Sequence, residues 1–199
     1  MILLVAASLL LFHSASGAQN STVKSLCPLD VVKDVGESKY FSVAYDTCFL
    51  FATSIKVTYD KAVANCKDLG GKIVMPKTMY VNDFLLSEIE RLPSSDQGSP
   101  FWIGMTDRKN EGNMVWEDGT AVKDLSNLVT GAGGVLGSVW GHGEDCVALD
   151  PRDGKWHDYR CLKSGLVAKN SKLPYICQFP VSNVLQRFLK VFHPDYHGF

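Results

Sequence analysis

The stretch Gly143–Cys161, GEDCVALDPRDGKWHDYRC, brings two cysteines, a tryptophan, a histidine and a run of carboxylates into one hairpin-length segment. CVALD and KWHDYRC read as two strands. Between them Asp153-Gly154 supplies the residues a tight reversal favours. The cysteines, Cys146 and Cys161, bracket the pair. Carboxylate oxygens suit a hard cation such as calcium, whereas imidazole suits zinc or titration near neutral pH.

Outward from this hairpin the pattern changes character. LPYICQF is a closing strand, and FWIGMTD is a short apolar strand. NMVWEDGTAV runs as a strand into a turn at Asp118-Gly119, and residues 124 to 143 form a long, glycine-rich, irregular connection. Towards the N-terminus, YFSVAYDTCFLF predicts a strand pair. TYDKAVANCKDLGG predicts a helix capped by Thr58, with Ala62, Val63 and Cys66 inside and Gly70-Gly71 as its stop. KIVMP is a short strand ended by Pro76. YVNDFLLSEIERL is a second helix with Val81, Phe84, Leu85 and Ile89 on one side, and PSSDQGSP is a loop. Helices come early, and short strands and long loops come after them. The class is α+β, with the helices segregated from the sheet.

The 199 residues carry a formal net charge of -1, which points to no nucleic-acid partner and no acidic polymer. Residues 1–17, apolar from Ile2 to Phe12 and then small, read as a signal peptide of a secreted, extracellular protein. Residues 18–26 are a loose polar segment containing the glycosylation acceptor Asn20-Ser21-Thr22. No later segment reaches transmembrane length. An exported chain with an even count of cysteines favours disulfides. No pair has the close spacing of a zinc knuckle. Residues 180–199 form an amphipathic tail, with Val184, Leu185, Phe188, Leu189 and Phe192 on one helical face and Arg187 and Lys190 elsewhere. Such a tail suits a membrane surface, a partner, or the chain's own domain. An enzyme is not indicated. There is no Gly-x-Ser-x-Gly elbow, and GAGGVLG lacks the βαβ setting of a dinucleotide loop.

Taken in order, CPLD…CFLF, AVANCKDLGGKIVMP…NDFL, FWIGMTDRKNEGNMVWEDGT and GEDCVALDPRDGKWHDYRC…PYICQ resemble the C-type lectin-like domain in its long, secreted, single-domain form. The resemblance covers residues 27–179. It implies two helices flanking short antiparallel sheets, a long loop region, and the pairs Cys27–Cys48, Cys66–Cys177 and Cys146–Cys161. It assigns Trp102, Ile103, Gly104 and Trp116 to the core, and places Trp156 beneath the site to orient the next two residues.

The resemblance also implies a principal calcium and carbohydrate site. Family members build it from a Glu-Pro-Asn or Gln-Pro-Asp triplet, an isolated glutamate and a Trp-Asn-Asp strand. Here Glu144, Trp156 and Asp158 match, His157 replaces the asparagine, and VTGAGGVLGSVWGHG contains neither triplet. Calcium at this principal site is therefore expected to be weak or absent. An auxiliary calcium position maps onto Asp107, Glu111, Glu144 and Asp145. His142 and His157 with Glu144 are an alternative zinc or pH-sensing set. The expected function is non-enzymatic recognition of a glycan or an extracellular protein through the long-loop face, residues 107 to 160, with Trp140 available to stack on a sugar or anchor a protein. The alternative is a matrix or mucus protein that self-associates through its tail, as a homo-oligomer, without binding sugar.

Overall fold

The computed structural model describes residues 27–28, 31, 40–124, 126–129, 145–161 and 171–181. Its strands are β1 (Tyr40–Ala44), β2 (Thr47–Val57), β3 (Lys72–Ile73), β4 (Phe101–Thr106), β5 (Val115–Trp116), β6 (Leu128–Val129), β7 (Cys146–Asp150), β8 (Lys155–Tyr159) and β9 (Leu173–Pro180). Its helices are α1 (Tyr59–Asp68), α2 (Met79–Ile89) and the short α3 (Ser94–Gln97). The strands join in one sheet with the order β1-β2-β9-β4-β7-β8-β6, β3 adding to β9 and β5 to β4. Two contacts, β4 with β9 and β6 with β8, are parallel, and the other ladders are antiparallel. The expectation of antiparallel pairing thus holds for every ladder but these two.

Strand alternation divides the core into two layers. In β2, Cys48, Leu50 and Ala52 join the α1 layer with Tyr59, Ala62, Cys66 and Trp102. Phe49 and Phe51 join the α2 layer with Leu85, Ile89, Trp116 and Trp156. Trp102 is fully buried, donates through Nε1 to the Val57 carbonyl (2.8 Å) and meets Tyr59 edge-on. A Cβ at Gly104 would lie 2.8 Å from Ile73 Cγ2, so only glycine lets β4 approach β3 this closely.

The first helix begins differently from its sequence reading. Thr58 occupies the cap position and its carbonyl accepts the Ala62 N–H at 3.0 Å, but its side chain makes no cap hydrogen bond. Burial of Tyr59 fixes the entry instead. Helix α2 does carry a side-chain cap: Thr78 Oγ1 accepts from the Val81 N–H. The stretch expected to be a plain loop after α2 contains α3. It comes after Pro93, and Gln97 Nε2 donates to the Leu92 and Glu90 carbonyls at its base. Proline is well suited to a helix start, where its missing N–H is not needed.

The three disulfides pair Cys27 with Cys48, Cys66 with Cys177 and Cys146 with Cys161. The first ties the N-terminal segment to β2, the second ties α1 to β9, and the third closes the β7–β8 hairpin. Among the described residues, no helix is long and apolar enough to cross a membrane.

Candidate functional site

One group of carboxylates forms where β4 ends and β7 begins. Thr106 pairs with Cys146, and the Asp107 N–H then donates to the Asp145 carbonyl at 3.2 Å, setting these two residues side by side. Asp107 also organises the loop after β4. Its carbonyl accepts the Asn110 N–H, and its Oδ2 accepts the Gly112 N–H at 2.9 Å. Gly112, at φ 77°, supplies the reversal that brings Glu111 over the same corner.

Asp107 is 4% exposed, and its Oδ1 is buried without a hydrogen-bond partner among the described residues. Such an orphaned carboxylate oxygen is destabilising. The neighbouring acids register the same strain. Loss of hydration, then the charge of Asp107, holds Asp145 above the usual carboxylate range, with Arg108 opposing. Loss of hydration and then Asp107, Asp145 and Asp158 hold Glu111 up likewise. Arg108 directs its guanidinium to Asp60 and over the Tyr59 ring, 5.3 Å from the centroid.

Hard oxygens, clustered negative charge and a buried oxygen lacking a donor fit calcium. The group is open: the only His, Cys, Asp and Glu set whose ligand atoms all fall within 4.8 Å among the described residues is Asp150, Asp153 and His157. Filling the Asp107 corner therefore needs Glu111 and Asp145 to close in. Of the four auxiliary residues expected from the sequence, Asp107, Glu111 and Asp145 are together. Glu144 lies outside the described residues, as do His142, Trp140 and Asn20.

The hairpin answers the principal-site question differently. Trp156 turns inward at 3% exposure, donates through Nε1 to Asn82 Oδ1 at 2.8 Å, and meets Trp116 edge-on. This anchors β8 from below. Residues 128–129 run parallel to β8, Leu128 opposite Trp156 and Val129 opposite His157. Asn127 ties the join, its carbonyl accepting the Trp156 N–H and its Nδ2 donating to the Gly154 carbonyl.

His157 does not present itself as a substitute for an amide oxygen. Its Nε2 lies 2.8 Å from Asp153 Oδ2, so the ring is held against the hairpin turn. Asp153 also accepts the Lys155 N–H. Asp150 is engaged through both oxygens by the Arg152 guanidinium, which holds its carboxyl below the usual range. These groups are hydrogen-bonded among themselves, and Glu144 and residues 130–144, where the family's triplet would fall, lie outside the described residues. The sequence reading missed Asp153 as the partner of His157. The signal was present as an acid and a histidine four residues apart across a turn.

A surface cavity of about 450 Å³ opens beside these elements. Its lining includes Trp116, Trp156, Lys77 and Lys123. Lys77 is held by Asp118 and Thr120.

A cystine-braced mixed sheet thus carries these loops and carboxylates at one end. Residues 55–179 match the family model described as the lectin C-type domain, and the chain belongs to that family. It is 27% identical over 173 residues to C-type lectin domain family 4 member E of Mus musculus, covering 85% of this chain and 65% of that one. It is 25% identical to the alpha-N-acetylgalactosamine-specific lectin of Patiria pectinifera, covering 63% of this chain and 70% of that one. Among solved structures, the cow C-type carbohydrate-recognition domain of CD23, determined in the presence of a GlcNAc2Man3 oligosaccharide, aligns with TM-score 0.53. The two are 25% identical over 74% of this chain and 96% of that one. The chain thus spans just under two thirds of the length of the mouse relative.

Proposed function

We propose that this chain is a secreted, non-enzymatic recognition protein whose long-loop face binds a glycan or an extracellular protein, with calcium held at the Asp107 corner and not in the usual sugar-coordinating position. The observation that carries this reading is the contrast between two groups of side chains. Asp107 has a buried oxygen in need of a cation, whereas His157 is turned against Asp153. Asp107, Glu111 and Asp145, joined by Glu144, would hold calcium, which would supply charge neutralisation and rigidity to the loops. Sugar or protein contact would then rest on side chains of the face and not on direct coordination through two vicinal hydroxyls.

Relatives named for N-acetylgalactosamine specificity or solved with an oligosaccharide support a glycan as the first ligand class to test. Calorimetric titration of calcium into the disulfide-intact chain, followed by a glycan array with and without chelator, tests the reading. Calcium binding with glycan signals that survive a competing excess of free monosaccharide diols supports it. Signals that vanish with that competitor and with chelator restore direct coordination and overturn it. The second reading, a self-associating matrix or mucus protein, would show neither calcium-linked nor glycan signals but a mass that grows with concentration.

A further inference from the structure

The cavity of about 450 Å³ that Trp116 and Trp156 border is separate from the calcium corner: Asp107, Glu111 and Asp145 do not line it. Its size falls within the range of small-molecule sites, about 300–1,000 Å³. Carbon surface comes from Met79, Ala121, Val122 and the ring of Trp156, whose Nε1 is already bonded to Asn82.

The polar groups around this carbon are unbalanced. Most acceptors are occupied. Thr78 Oγ1 receives the Val81 N–H, and Thr120 Oγ1 receives Lys77 and donates to Asp118. Asp124 Oδ1 receives the Ser126 N–H, which leaves its second oxygen as the open acceptor. Donors are left over. The Trp116 indole N–H has no acceptor among the described residues, although the residue is only 4% exposed. Of the described side chains, only Asp107 Oδ1 is both buried and unpaired, so solvent reaches that indole N–H, and the solvent-filled space that Trp116 borders is this cavity. Met79 opens α2, where a backbone N–H has no intrahelical acceptor, and no other acceptor meets it among the described residues. The first turn of α2 holds no acid, so the positive end of its dipole is unopposed there. Lys77 is committed to Asp118, whereas Lys123 has no carboxylate within ion-pair distance among the described residues.

An ionised carboxyl accepts at both oxygens and donates nothing, which matches this surplus of donors. A ring attached to it would cover the carbon of Met79, Val122 and Trp156. We propose that the cavity is a binding site for an aryl carboxylate, a small ligand with one ionised carboxyl and one ring-sized apolar body. The Trp116 and Met79 N–H groups receive the carboxylate, Lys123 neutralises it, and the ring lies against Trp156. The site needs no calcium.

Titration of phenylacetate into the disulfide-intact full chain, in chelator and followed by proton–nitrogen NMR, tests this. The Trp116 indole and Met79 amide resonances are expected to move together and to saturate with a Kd of about 1 mM. Acetate lacks the ring and phenylethylamine reverses the charge, so each is expected to bind at least about tenfold more weakly. Lys123 is exposed. Lys123→Glu removes an attraction and adds a repulsion, and should weaken phenylacetate by roughly tenfold with the Tm unchanged. Asp124→Asn keeps an acceptor for Ser126 and removes the repelling charge, and should tighten binding by roughly two- to fivefold. A Trp116 indole resonance that does not move overturns the proposal. So does acetate or phenylethylamine binding as tightly as phenylacetate, and so does an affinity indifferent to the charge at position 123.

Discussion

Asp107 concentrates the conflict that calcium would resolve. Its Oδ2 serves the Gly112 N–H, whereas Oδ1 is buried without a donor among the described residues, and Asp145 and Glu111 bear the consequence in raised carboxyl pKa values. Asn keeps an acceptor for Gly112 and removes the charge. Asp107→Asn is therefore expected to stabilise the calcium-free chain and to lower calcium affinity by roughly tenfold. Thermal melts in chelator and in calcium measure both effects. Destabilisation in chelator would show that Asp107 is a structural acid. Trp156 is the residue that anchors the opposite side of the site. Trp156→Phe leaves Asn82, 1% exposed, without its partner. A loss of about 2 kcal/mol is expected from that unpaired amide and the vacated volume, read from the urea midpoint. A change below the error of the measurement would mean that Asn82 finds another donor.

At the scale of elements, the sequence was most informative where a single local pattern decided the outcome. The β1–β2 strand pair, the apolar run Phe101–Thr106 in β4 and the Asp153-Gly154 reversal between β7 and β8 lie where they were expected. Gly154 indeed takes φ 71°. Legibility failed where the decision was tertiary. Thr58 looked like a side-chain cap, but burial of Tyr59 against Trp102 sets the start of α1. The α3 turn depends on Gln97 reaching back to carbonyls that no local propensity announces. The site was legible in part for the same reason. Asp107, Glu111 and Asp145 are brought together by a strand pairing and a tight loop. The orientation of His157 depends instead on a partner at the far side of the hairpin turn. The Tyr45-Asp46 turn, at φ 51° and 54°, is the clearest element at odds with its own sequence. Asp46→Gly removes the positive-φ crowding, about 1–2 kcal/mol, less the extra chain entropy of glycine, about 0.5–1 kcal/mol. A net gain of about 0.5 kcal/mol is expected. Tyr45→Gly forfeits the Phe84 contact as well and is expected to be neutral or destabilising. Chemical denaturation of both variants checks the ordering, and equal gains would mean that the Tyr45 ring contributes nothing to the packing of α2.

Across the whole molecule, two sets of carboxyls pull the pH dependence in opposite directions. Asp150, hydrogen-bonded to Arg152, and Asp118, hydrogen-bonded to Lys77, sit below their ordinary 3.8. Their stabilisation is present above that value and is lost as pH falls through the lowered folded pKa values. Asp145 and Glu111 sit above their ordinary 3.8 and 4.5. Their contribution is fully present below those values and is lost as pH rises through the raised ones. A calcium-free chain should therefore lose part of its stability on the alkaline side of the carboxylate range, where the Asp107 corner becomes fully charged. Calcium competes with protons for the same oxygens, so its stabilisation should be absent near pH 3 and reach a plateau by about pH 7. At a calcium concentration of about 100 times Kd that plateau is about 2.7 kcal/mol, a rise in Tm of roughly 5–10 °C. Melts from about pH 3 to about pH 8, each with calcium and with chelator, draw the two curves. They should meet at the acid end and diverge upward. Curves that stay parallel would place the bound calcium away from these protonatable groups, and curves that coincide would remove calcium from the Asp107 corner.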